Sequence, residues 1–114
     1  MADDAVYVNV AEGSARIMNN MKLYVKLLVK FRNDNNLNDL EAALAAGDLP
    51  KAQNAAHTIK GVAANLAFTE LFKQCLELET QIKNGAVNPA QLETVKTVFA
   101  ATLQVIDKVT AENG

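Results

Sequence analysis

The sequence predicts an all-α fold: an up-and-down antiparallel four-helix bundle with a short N-terminal helix. Three observations carry this expectation. The 114 residues include only 2 prolines and 5 glycines, and good helix formers are frequent. Apolar residues recur at three- and four-residue steps, while the alternation expected of strands is rare. Stop and start signals fall close together, and short loops between long helices make neighbours antiparallel. A chain of this length makes one domain, residues 1–114, and its 50% apolar content supports a core.

The first thirteen residues lead into a short candidate helix around Val10 to Ile17. From Asn20 onward, Met21, Tyr24, Val25, Leu28 and Phe31 form one apolar helical face. The cluster Asn33-Asp34-Asn35-Asn36 bends or breaks this helix. Leu37, Leu40 and Leu44 continue a stripe to Gly47, a C-terminal stop. The Asn20–Ala46 segment is expected to form one bent arm of the bundle. Asp48 is an N-cap with Pro50 tolerated in the first turn, opening a helix over about 49–67. Thr69 is expected to cap the next helix, with Leu71, Cys75, Leu78 and Ile82 on its core stripe and Asn84-Gly85 at its end. The last helix enters through Asn88 as cap, Pro89 at the first position and Gln91 at the capping-box position. Its stripe is Leu92, Val95, Phe99, Leu103, Ile106 and Val109.

Composition excludes several function classes. Eleven basic against 13 acidic residues leave a net charge of −2, so nothing points to nucleic acid held by bulk charge. One Cys excludes an intrachain disulfide and a cysteine-based zinc site, and one His excludes multi-histidine metal sites. The acidic start Met1-Ala2-Asp3-Asp4 lacks the form of a signal peptide, and no apolar run reaches the length of a membrane span. A small cytoplasmic domain is expected, without membrane, nucleic-acid, metal or cofactor partners.

The only histidine is the obvious place for chemistry. With His57 at zero on a helical wheel, Ala55, Ile59, Val62 and Leu66 fall within roughly 40° of the opposite side. The His57 face carries Gln53, Asn54, Lys60, Gly61, Ala64 and Asn65. Gly61 sits mid-helix, where glycine costs about 1 kcal/mol relative to alanine, so its missing side chain reads as clearance beside the imidazole. Lys60, three residues on, is near enough to share a bound anion. An imidazole of ordinary pKa, about 6.5, is mostly neutral at pH 7 and nucleophilic. Phosphoryl transfer asks mainly for positioning and charge stabilisation, which a neighbouring lysine supplies.

A group to hold the second ring nitrogen comes from the bundle register. His57 precedes Phe68 by eleven residues and Glu79 follows it by eleven. In an antiparallel pair turning at Phe68, both stand about 16 Å from the turn at 1.5 Å per residue. The stripe Phe72, Leu76, Glu79, Lys83 becomes charged at that height. A Glu79 carboxylate there accepts the second imidazole N–H and fixes the tautomer.

The segment Ala56-His57-Thr58-Ile59-Lys60-Gly61-Val62-Ala63-Ala64-Asn65-Leu66 resembles the signature of histidine-containing phosphotransfer (HPt) domains, His-x-x-Lys-Gly followed by small residues and an apolar one. Ala43-Leu44-Ala45-Ala46-Gly47-Asp48, Leu76-Glu77-Leu78-Glu79 and Tyr24-Val25-Lys26-Leu27-Leu28-Val29-Lys30-Phe31 are also similar to the family. The resemblance implies a phosphorelay carrier between aspartates of receiver domains in response regulators or hybrid sensor histidine kinases. It implies no ATP-dependent kinase activity, and a metal ion only in the receiver partner. His57 would be the phosphoacceptor, through Nε2, and Lys60 the electrostatic aid. Glu79 would lie near the imidazole, and Gly61 would give access. Gln53, Thr58, Ala64 and Asn65 would join Gly61 at the partner-docking face. One departure is Ala67, where family members commonly have Gly; a slight extension of the helix is the expected consequence.

Other residues have plainer expectations. Arg16, Lys22, Lys26, Lys30 and Arg32 form a basic stretch read as a solvated helix face with docking as its alternative. Cys75, Tyr24 and the four Phe are expected in the core, Cys75 inert. Met18 and Met21 are candidates to line a surface beside His57. Two competing readings are a receiver-binding adaptor that transfers nothing and a structural bundle with an incidental His57. A monomer is expected, since it keeps the His57 face free.

Overall fold

The computed structural model describes residues 4–113, every regular element of which is helical. The acidic start therefore lies outside the described residues up to Asp4. Seven helices follow in order: α1 (Asp4–Tyr7), α2 (Val10–Ala15), α3 (Met21–Arg32), α4 (Asn36–Ala45), α5 (Leu49–Leu66), α6 (Thr69–Lys83) and α7 (Pro89–Asn113). Helix α5 packs between α4 and α6, α6 packs on α7, and α7 packs back on α3.

Helix ends follow local chemistry. Asn9, Asn20 and Asp48 each accept a backbone N–H three residues on, from Glu12, Leu23 and Lys51. Gly47 (φ +72°) ends α4: its N–H donates to the Leu44 carbonyl and the Asp48 N–H to that of Ala43. The backbone turns left-handed at this glycine and satisfies two carbonyls that would otherwise be left without partners.

Several local expectations need correction. Of the two outcomes expected at the Asn33–Asn36 cluster, the helix breaks rather than bends: the Asn20–Ala46 arm is two helices separated at Asn33–Asn35, where the Asp34 carboxylate accepts the Asn36 N–H at 2.8 Å. A single turn, α1, precedes the expected N-terminal helix, which itself ends at Ala15. Phe68, not Thr69, occupies the N-cap of α6 and supplies no side-chain bond. Gln91 does not close a capping box. Its amide donates to the backbone and side-chain oxygens of Gln74, both at 3.0 Å, while Gln81 accepts the Asn88 N–H at 2.9 Å. A tertiary contact with α6 has replaced the local one.

The helix carrying His57 does not run on at Ala67. It stops at Leu66, and Ala67 adopts the left-handed conformation (φ 62°, ψ 43°) that glycine serves best. Three contacts hold this exit in place. The Phe68 N–H donates to the Ala63 carbonyl at 2.8 Å, the Asn9 N–H to that of Ala67 at 3.0 Å, and the buried Tyr24 hydroxyl to that of Leu66 at 2.7 Å. Burial, with Glu12 nearby, pushes the Tyr24 phenol up to about 12, so it stays a donor.

The core is one cluster fed by all the long helices. Phe31 stands between Phe68 (ring centroids 4.9 Å apart) and Phe99 (5.2 Å). Helix α5 contributes mostly small side chains, Ala52, Ala55, Ala56 and Ala63, around Ile59 and Leu66. Small residues let neighbouring helices approach its backbone, which carries His57 close to α6. The stripe Leu71, Cys75, Leu78, Ile82 is buried throughout; Phe72 is only half-buried. Burial pushes the Cys75 thiol up to about 12, with Glu79 adding to the rise and Lys60 opposing it.

Candidate functional site

His57 projects from the outer face of α5 with its side chain 66% exposed. Its Nδ1 lies 3.2 Å from Oε2 of Glu79, which belongs to the middle of α6 and is 3% exposed. The Lys60 ammonium sits 2.7 Å from the other oxygen, Oε1, and is itself largely buried. The contact is an ion pair whose angles fall short of an aligned hydrogen bond. Lys83, one turn beyond Glu79 on α6, brings a second ammonium within 3.8 Å of Oε2.

These distances define the electrostatics. Burial alone pushes the Glu79 carboxyl pKa upward. The Lys60 contact, with the Lys83 and His57 charges, outweighs burial and sets the net direction below the ordinary carboxylate value. An ionised carboxylate only accepts hydrogen bonds. Facing it, the neutral imidazole carries its proton on Nδ1 and donates it to Oε2. The lone pair is then on Nε2, which has no protein partner among the described residues. The arrangement is an exposed ring nitrogen backed by a buried carboxylate whose charge would favour a cationic ring.

The remaining site residues spread along α5. Gly61 is exposed, and a Cβ added there meets no atom within 4 Å. Internal packing therefore does not require this glycine. Thr58 is exposed, and its hydroxyl donates to the Asn54 carbonyl at 2.9 Å. Gln53 is half-buried. Ala64 lines a groove with Glu12, Arg16 and Phe72, whereas Asn65 lines another with Leu27, Lys30 and Val62. The structure thus brings His57, Lys60 and Glu79 together and distributes Gln53, Thr58, Gly61, Ala64 and Asn65 over the surrounding face.

Sequence reasoning assigned no part to Lys83, although its four-residue spacing from Glu79 is the ordinary helical ion-pair signal. It also missed the α2 wall. Met18 is 92% exposed in a left-handed turn and Met21 packs against the core. Glu12 and Arg16, paired at 2.7 Å, flank α5 from that side. Among the described residues, no cluster of three or more His, Cys, Asp or Glu side chains offers a metal site. No helix there is long and apolar enough to cross a membrane.

The site is thus a surface histidine held by a buried carboxylate in a helical bundle. The family model of the Hpt domain matches residues 28–108, and the chain belongs to that family. Membership implies a part in His–Asp phosphorelay phosphotransfer, in which such domains are phosphocarriers rather than kinases and interact with receiver domains. No curated protein and no solved structure matches the chain significantly.

Proposed function

We propose that this protein relays a phosphoryl group between receiver-domain aspartates through a phosphohistidine at His57. The supporting observation is the exposed imidazole whose Nδ1 faces the buried, ionised Glu79 at 3.2 Å. The Nε2 lone pair attacks the phosphorus of an aspartyl phosphate. The N–P bond forms as the P–O bond to the aspartate breaks, and the aspartate leaves as a carboxylate. The ring gains positive charge, which the Nδ1–H contact with Glu79 offsets. Transfer onward is the reverse reaction with a second aspartate.

Lys60 balances the Glu79 charge in the resting site and adds positive potential where the phosphoryl oxygens arrive. Gly61 clears the approach, and Gln53, Thr58, Ala64 and Asn65 meet the partner. Receivers of response regulators and hybrid sensor kinases are the partners, and the carrier works as a cytoplasmic monomer without ATP or a bound cofactor.

The experiment is transfer from radiolabelled, phosphorylated receiver domains of the same organism to wild type and His57→Gln. The expected result is rapid labelling that survives base, as phosphohistidine does and aspartyl phosphate does not, and that disappears in His57→Gln. A folded wild type that binds a receiver yet takes no label would favour the adaptor reading.

A further inference from the structure

Helix α3 carries Lys22, Lys26 and Lys30, all exposed, at successive four-residue steps. Among the described residues, no ion pair involves any of them, although the other basic residues of this stretch, Arg16 and Arg32, pair with Glu12 and Asp107. Three uncompensated cations in a row are notable on a chain of net charge −2. A four-residue step advances about 40° around a helix, so the row drifts across the surface. Its Lys30 end reaches the rim of the groove between α3 and α5.

That groove holds about 200 Å³ over an apolar floor of Leu27, Phe31, Val62 and Leu66, with Lys30 and Asn65 at its rim. The one acid there, Asp34, spends a carboxylate oxygen on the Asn36 N–H. Asn65 lies eight residues beyond His57 on α5, about 12 Å along the axis. A standard interface of about 800 Å² per partner is roughly 30 Å across, so one partner covers both places.

We propose that the Lys22–Lys26–Lys30 row and this groove form a docking surface for an acidic segment of the receiver partner, with one apolar side chain of that segment seated in the groove. The proposal rests on the phosphocarrier reading. Charge complementarity argues for the occupant: the cations are unpaired within the chain, and the Lys30 end of their row meets the groove that Asn65, on the His57 helix, also lines. The row speeds and orients encounter, while the chemistry stays with His57, Lys60 and Glu79.

The test compares wild type with the triple variant Lys22→Gln, Lys26→Gln, Lys30→Gln. The probes are phosphoramidate, a small donor that needs no docking, and the phosphorylated receiver domain that labels wild type fastest. Expected are equal labelling by phosphoramidate and about tenfold slower transfer from the receiver at low salt. The two proteins should converge near 0.5 M salt, where screening removes the steering. Lys73→Gln on α6 should transfer like wild type, and Lys26→Glu should be slow on its own.

Equal low-salt transfer by the triple variant and wild type overturns the docking surface, as does a matching loss of phosphoramidate labelling. Binding of wild type to phosphatidylserine–phosphatidylcholine vesicles, lost in the triple variant while receiver transfer is unchanged, reassigns the row to a membrane surface. Labelling of His57 by phosphoramidate but by no receiver removes the proposed partner. No labelling of wild type by either donor removes the phosphocarrier reading itself.

Discussion

Glu79 divides its two oxygens between two residues of α5: Oε2 lies 3.2 Å from Nδ1 of His57, and Oε1 lies 2.7 Å from the Lys60 ammonium. The lysine keeps the buried carboxylate charged, and that charge orients the ring. Removing either partner leaves the other poorly compensated, because an unpaired buried charge costs several kcal/mol.

Replacing Glu79 by Gln should therefore slow transfer by about 10- to 100-fold, by analogy with the loss when the outer partner of a metal-bound imidazole is removed. It should also lower stability at pH 7 by about 1–3 kcal/mol. The folded-state pKa of Glu79 is depressed, so its contribution is complete above the ordinary value of 4.5 and is lost as pH falls below it through the folded pKa. Denaturant unfolding of both proteins at pH 7 and pH 3 should show the stability gap narrowing in acid. A gap independent of pH would remove the charge from the explanation.

Gly61 should trade stability against access. A Cβ there meets nothing within 4 Å, so Gly61→Ala should raise stability by about 1 kcal/mol through helix propensity. Gly61→Gln should also be no less stable than wild type. Its transfer from a receiver should nevertheless fall, while labelling by phosphoramidate stays unchanged. Wild-type receiver transfer by Gly61→Gln would show that clearance is not why glycine stands there.

Ala67→Gly should stabilise the fold. A left-handed alanine costs about 1–2 kcal/mol, and glycine returns about 0.4–1 kcal/mol of that as extra freedom of the unfolded chain. The net gain is up to about 1.6 kcal/mol, measurable as a higher melting temperature. A lower one would mean that the buried Ala67 methyl outweighs the backbone strain.

Gly13→Ala should act in the opposite direction. A Cβ at Gly13 would lie 2.5 Å from the Tyr24 ring, 2.6 Å from its hydroxyl and 2.7 Å from the Leu66 carbonyl oxygen. None of these can yield without disturbing the Tyr24–Leu66 hydrogen bond. The expected loss is about 1–3 kcal/mol, read from denaturant midpoints. A neutral result would show that α2 shifts on α5 at little cost.

Much of this molecule was written in local sequence. Helix class, the five long segments and several of their ends follow from apolar spacing and from Asn20, Asp48, Gly47 and Gly85, because these act through bonds within a few residues of themselves. His57 and its open face were legible for the same reason: a helical wheel needs only the chain's own period. Even the pairing of His57 with Glu79 follows from equal distances to the turn at Phe68.

Tertiary packing decided the rest. Ala67 favours a right-handed backbone by itself, and only contacts from Asn9, Phe68 and Tyr24 around the end of α5 hold it left-handed. Gln91 has a capping position available beside it, yet Gln74 on α6 draws its amide away. The distance from Glu79 to Lys60, the contact that does most to keep the buried carboxylate charged, exists only once α5 and α6 are packed. Periodicity and capping act over a few residues, whereas a buried ion cluster depends on how closely two helices approach, and that is set by side chains far from the site.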